Sequence, residues 1–109
     1  VFLAVPFTAI KSAAECVKKL KSPITIGAQN MHDASEGAFT GEIAGRMLNE
    51  AGARFAIIGH SERRRIFNES NSFINRKIKR ALKDGIQPVL CVGETLEERD
   101  SNQTQAVLK

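Results

Sequence analysis

The sequence predicts an α/β domain built on a parallel sheet, and three observations predict it. Short apolar runs alternate with longer segments whose apolar residues recur at helical spacing. The short runs are continuous rather than alternating, as in strands covered on both faces. The second, third and fourth runs also turn from apolar to polar at their carboxyl ends, where parallel sheets assemble their sites.

Val1–Val5 is the first such run. Ala13, Cys16, Val17 and Leu20 then fall on one face of a helix, for which Ser12 and Glu15 have the spacing of a capping box, and Ser22-Pro23 stops it. Ile24–Ala28 is the second strand. Thr40 is positioned to cap a second helix that turns Ile43, Met47, Leu48 and Ala51 inward and ends at Gly52. Phe55–Gly59 is the third strand. Ser70 caps a third, longer helix with Phe73, Ile74, Ile78, Ala81 and Leu82 inward and Gly85 as its terminator, and Pro88–Val92 is the fourth strand. From Thr95 the chain is charged, and Ala106-Val107-Leu108 begins another helix. The order β-α-β-α-β-α-β implies right-handed crossovers between parallel neighbours. No internal boundary divides residues 1–109, so they form one domain.

Composition narrows the function. A net charge of +4 on 109 residues, with acids and bases interleaved, suits a small anionic ligand better than a nucleic acid. The chain has no Trp or Tyr and its six Phe are scattered, which argues against a platform for stacking bases. No apolar run approaches the ~20 residues of a membrane span. Cys16 and Cys91 lack Cys-x-x-Cys spacing and read as reduced core thiols of a cytoplasmic protein. The sequence opens at Val1 in mid-strand, and we expect it to be part of a longer protein.

The candidate site is the row of strand ends. The second strand ends in Gln29-Asn30, the third in Gly59-His60-Ser61-Glu62 and the fourth in Gly93-Glu94. A buried strand is a rigid post for a functional side chain. Each residue also has a purely structural reading. Ser61 can be a helix cap, Glu62 can favour a helix N-terminus, and Arg63, Arg64 and Arg65 can be a solvated face. His32 reads as a loop residue. The two histidines lack the spacing of metal ligands, and no metal site is expected.

Four motifs carry more. AQN at 28–30, GAFTGE at 37–42, GHSERR at 59–64 and CVGETLEER at 91–99 resemble the triosephosphate isomerase family in order and spacing, over essentially the whole sequence. The resemblance implies a partial (β/α)₈ barrel, its second to fifth strands, incomplete at both ends. It implies an isomerase of phosphorylated trioses, needing no cofactor, that is a homodimer at full length. His60 matches the family's electrophile, which works as a neutral imidazole, an established property of this family. Ser61 and Glu62 match residues that support it. Thr40 matches a dimer contact, and Arg63 and Glu69 match a structural ion pair, which leaves Arg64 and Arg65 as surface residues. The family's Asn-x-Lys, its catalytic glutamate and its phosphate loops have no counterpart in these 109 residues, so they are expected to be inactive alone. Two other readings stay open. One is a non-catalytic half-barrel. The other is a phosphate-binding α/β module, against which the absence of a glycine-rich turn after the first strand argues.

Overall fold

The computed structural model describes Val1 to Lys109. Four strands form one sheet in chain order: β1 (Phe2–Val5), β2 (Thr25–Ala28), β3 (Phe55–Ile58) and β4 (Gln87–Leu90). All three pairings are parallel, with Val5 opposite Ala28, Gly27 opposite Phe55 and Ile58 opposite Leu90. The helices between them are α1 (Ile10–Lys19), α2 (Gly45–Ala51), α3 (Ser61–Ile66) and α4 (Asn71–Lys83), followed by α5 (Leu96–Asp100) and α6 (Thr104–Val107).

The core lies between sheet and helices. Ile26, Ala28, Ala56 and Ile58 point outward from the two central strands and are buried against Ile10, Leu48, Ile74 and Ala81. The opposite face carries Gly27, Phe55 and Ile57 along the register. Here the Phe55 ring lies over Gly27 and meets Phe2 edge-on at 5.2 Å. The outer strands are less covered: Phe2 is 61% exposed and Leu90 45%. Their open edges and apolar side chains call for further strands.

Helix starts depart from the sequence reading in two places. α1 begins at Ile10 rather than behind a Ser12–Glu15 capping box, because a 3₁₀ turn at Phe7–Ala9 leads straight into it and Ala9 is its uncapped N-cap. Thr40 caps nothing. Gly41 adopts a left-handed φ of 88°, the Ile43 carbonyl turns back to accept the His32 N–H at 2.9 Å, and the helix starts only after Ala44. Ser70 does cap α4, accepting the Phe73 N–H at 3.2 Å. A complete capping box stands instead at Thr95 and Glu98, ahead of α5. Met47 and Leu82, assigned inward, are 46% and 63% exposed, and Cys16 is an exposed free thiol rather than a core one.

Gly27 leaves the least room for a side chain. A Cβ there would sit 2.4 Å from the Phe55 ring, which is itself 3% exposed and has nowhere to retreat. Gly27→Ala should therefore lower the unfolding free energy by about 1–3 kcal/mol, the usual cost of overpacking. Denaturant titration of the two proteins measures it, and unchanged stability would contradict the close packing of Phe55.

Candidate active site

β3 is apolar to Ile58, and Gly59 then turns the chain with a left-handed φ of 74°. His60 follows as the N-cap of α3. Its Nδ1 accepts the backbone N–H of Glu62 at 3.3 Å, so an imidazole takes the place of the usual hydroxyl or carboxylate cap. A ring nitrogen that accepts cannot carry hydrogen, so the ring's own N–H is at Nε2. The Glu62 carboxylate lies 3.6 Å from the same Nδ1, beyond hydrogen-bonding range, so the backbone contact sets the tautomer.

His60 faces a cleft of about 380 Å³ on the carboxyl side of the sheet, lined also by Pro6, Gln29, Asn30, Glu62 and Arg63. The structure thus brings together the ends of β2 and β3. Ser61 begins α3 and is exposed on the far side of His60, beside Gly93 and Glu94. Thr40 is exposed on the β2–α2 loop and does not line the cleft. That loop folds around His32, whose ring packs 4.6 Å from Phe39 between the carboxylates of Asp33 and Glu42. Glu94 receives Arg99 at 2.7 Å and Thr104 at 3.3 Å, and its carboxyl is held below the ordinary range by its own backbone N–H and by Arg99.

Behind the cleft lies a buried charge cluster. Arg63 donates through Nε to Glu69 Oε1 at 2.7 Å, and Lys77 Nζ donates to the same oxygen at 2.5 Å. Lys77 also donates to Asn30 Oδ1 at 2.9 Å. Burial pushes Glu69 upward, but the hydrogen bonds from Lys77 and Arg63 outweigh it and hold the carboxyl below its ordinary range. Burial pushes Lys77 down, and Glu69 opposes this only in part.

Sequence reasoning missed two members of the frame. Lys77, 1% exposed, sits on the inward stripe of α4 between Ile74 and Ala81. A lysine on such a stripe, eight residues from Glu69, was the available signal. Arg64, read as a surface residue, is folded inward. Its Nε donates to the Gly59 carbonyl at 2.7 Å, Nη1 to Asn71 Oδ1 at 2.6 Å and Nη2 to the Cys91 carbonyl at 3.2 Å. Only Arg65 of the three is exposed without such ties.

A parallel sheet with helices on one side, an uncovered apolar face on the other and polar residues gathered at the carboxyl ends of its strands defines part of a (β/α)₈ barrel with a strand-end site. No cluster of three His, Cys, Asp or Glu is placed to hold a metal ion, and no helix is long and apolar enough to cross a membrane. The chain matches the family model "Triosephosphate isomerase" over residues 1–109, and it belongs to that family. It is 60% identical to the triosephosphate isomerase of Protochlamydia amoebophila over 109 residues, which is all of this chain and 40% of that one. Against the enzyme of Alkaliphilus metalliredigens the identity is 51%, over all of this chain and 43% of that one. The crystal structure of triosephosphate isomerase from Bartonella henselae superposes with a TM-score of 0.93 at 42% identity, covering 98% of this chain and 44% of that one. The chain thus spans well under half the length of these relatives.

The charge cluster makes stability depend on acid. A carboxyl depressed in the folded state contributes stability that is fully present above its unfolded value of about 4.5 and is lost as pH falls through the depressed one. Glu69→Gln should flatten this acid limb and lower stability at neutral pH by about 3–5 kcal/mol, since Lys77 and Arg63 lose their counter-charge. Unfolding free energies of both proteins from pH 3 to 7 test it, and parallel acid limbs would refute it.

Proposed function

We propose that the full-length protein interconverts dihydroxyacetone phosphate and glyceraldehyde 3-phosphate through an enediolate. The observation that carries this reading is His60 itself: an imidazole fixed at a strand end, facing a cleft, with Nδ1 committed to a backbone N–H and Nε2–H left to donate. Removing a proton from the substrate carbon next to the carbonyl develops negative charge on the carbonyl oxygen. Nε2–H hydrogen-bonds that oxygen and stabilises the charge as it forms. The same nitrogen passes a proton to one enediolate oxygen and recovers one from the other, so the imidazole ends as it began. The base that takes the carbon-bound proton, and the loops that hold the phosphate, belong by family resemblance to strands outside residues 1–109.

Ser61 and Glu62 act in support, with the Glu62 N–H setting the tautomer of His60. Arg63 and Glu69 serve as a structural pair behind the cleft. The protein works as a homodimer without a cofactor, in the cytoplasm, and binds neither nucleic acid nor membrane. Thr40, exposed on the long β2–α2 loop, meets the neighbouring subunit. The family membership and the +4 charge, suited to a phosphorylated substrate, support this reading.

In the full-length enzyme His60→Gln should lower kcat by ~10²-fold or more while KM changes little, because the lost hydrogen bond is made mainly in the transition state. Near-normal kcat in that variant would overturn the assignment. Thr40→Glu places an unpaired charge at the proposed subunit contact. It should shift sedimentation towards monomers and lower activity in parallel, and an intact, fully active dimer would remove Thr40 from the interface.

A further inference from the structure

We infer that Arg64 is the positioning residue for His60, an inference that rests on the role proposed above for that histidine. Arg64 grips the backbone on both sides of the His60 α-carbon. Its side-chain Nε donates to the Gly59 carbonyl at 2.7 Å, and its backbone N–H donates to the His60 carbonyl at 3.1 Å. The first of these carbonyls belongs to the peptide group that joins Gly59 to His60. Its orientation therefore sets where the imidazole begins.

The remaining donors anchor that grip to the rest of the sheet. Nη2 reaches the Cys91 carbonyl at the end of β4, and Nη1 reaches Asn71 at the start of α4. One guanidinium thus references His60 to the next strand and to the next helix. Gly59 has no freedom to drift. A Cβ at that position would lie 3.0 Å from Arg64 Nη2 and 3.2 Å from Ile74, so the backbone is already packed against both. Carbonyls at the carboxyl edge of a parallel sheet run out of strand partners, and Arg64 supplies donors to two of them.

Only a planar fork can serve three acceptors lying in different directions. A lysine in its place would keep the charge and lose the geometry. If the Gly59 carbonyl is released, the N-cap turn at His60 loosens. The Glu62 N–H contact to Nδ1, already long at 3.3 Å, is the first to go. The imidazole then samples orientations in which Nε2–H misses the substrate oxygen.

The test uses the full-length enzyme with Arg64→Lys, Arg64→Met, His60→Gln and the double variant Arg64→Lys/His60→Gln. Arg64→Lys should lower kcat by up to ~10²-fold, as small misplacements of a catalytic group do, with KM nearly unchanged. In the His60→Gln background the same change should cost little further, because two residues acting as one unit are not additive. The ¹⁵N signal of His60 Nδ1 should move in both single Arg64 variants, reporting loss of the accepted hydrogen bond. Arg65→Met, a neighbouring exposed arginine, should alter neither kcat nor that signal. Equal losses of kcat in both backgrounds would make Arg64 merely structural and overturn the inference. So would an unmoved ¹⁵N signal or wild-type kcat. Should the Arg64 variants fail to fold, Asn71→Ala removes one anchor and keeps the guanidinium. It should shift the same signal and lower kcat less, and an unchanged signal and kcat would overturn the inference. If His60→Gln itself retains kcat, the proposed function falls, while the ¹⁵N shift still tests the placement of His60 by Arg64.

Discussion

The frame of the site hangs on one carboxylate. Glu69 Oε1 receives both Lys77 and Arg63, and Lys77 goes on to Asn30. These four residues come from the end of β2, from α3, from the α3–α4 connection and from α4. Without that oxygen two cations would be left facing each other, one of them with a side chain 1% exposed. Desolvating them is costly, and a buried pair returns that cost only when its geometry is good and its remaining donors are satisfied. The return here is positional: the cleft wall formed by Asn30 and Arg63 is fixed relative to α4. The Arg63 guanidinium also lies 4.4 Å from the Phe67 ring, which lines the same cleft.

The arginine run divides its labour by direction. From one short helix, Arg63 points to the charge cluster behind the cleft, Arg64 to the strand-end carbonyls, and Arg65 to solvent. Successive residues on a helix are about 100° apart, at 3.6 residues per turn, so three in a row necessarily face three ways. A run that looks like one basic patch in the sequence is therefore two separate ties and one surface residue. The helix they share is short, and its N-terminus is built around His60 rather than around a hydroxyl. Ties on its flanks supply the rigidity that a helix of this length lacks by itself.

What could be read from the sequence follows from how local each feature is. The four strands appear as apolar runs because both faces of the sheet carry apolar side chains, one packed under the helices and the other left to further strands of the barrel. Ser70 and Gly52 mark their helix ends because capping is a contact within a few residues. The start of α2 was hidden because a distant contact decides it: the Ile43 carbonyl pairs with His32, and nothing in residues 40–44 announces that. Ser12 and Glu15 have the spelling of a capping box, yet the preceding 3₁₀ turn had already begun the helix. The position of His60 at a strand end was legible, and so was its neighbourhood with Gln29 and Asn30. The inward fold of Arg64 was not, because two of its three acceptors are backbone carbonyls, which leave no mark on sequence.

The two faces of the sheet show why placement and stability separate in this chain. On the helix side Ile26, Ala28, Ala56 and Ile58 are at most 3% exposed, so the central strands are anchored by residues 1–109 alone. On the other side the cover is a single layer, Phe55 over Gly27, and Val89 remains 40% exposed. Apolar burial contributes roughly 25 cal/mol per Å², so much of the stabilisation available to β1 and β4 comes only when further strands close against them. The residues that frame the cleft depend little on that closure. Gly59, Arg64, Glu69 and Lys77 find their partners within the β2–α4 region and at the adjoining end of β4. The orientation of His60 is thus a local property of β3 and its two flanking connections, whereas the enclosure of the cleft beside it is a property of the whole barrel. A site divided in this way keeps the geometry of its strand-end residues within β2, β3 and their connections, and leaves its enclosure to the strands that close the barrel.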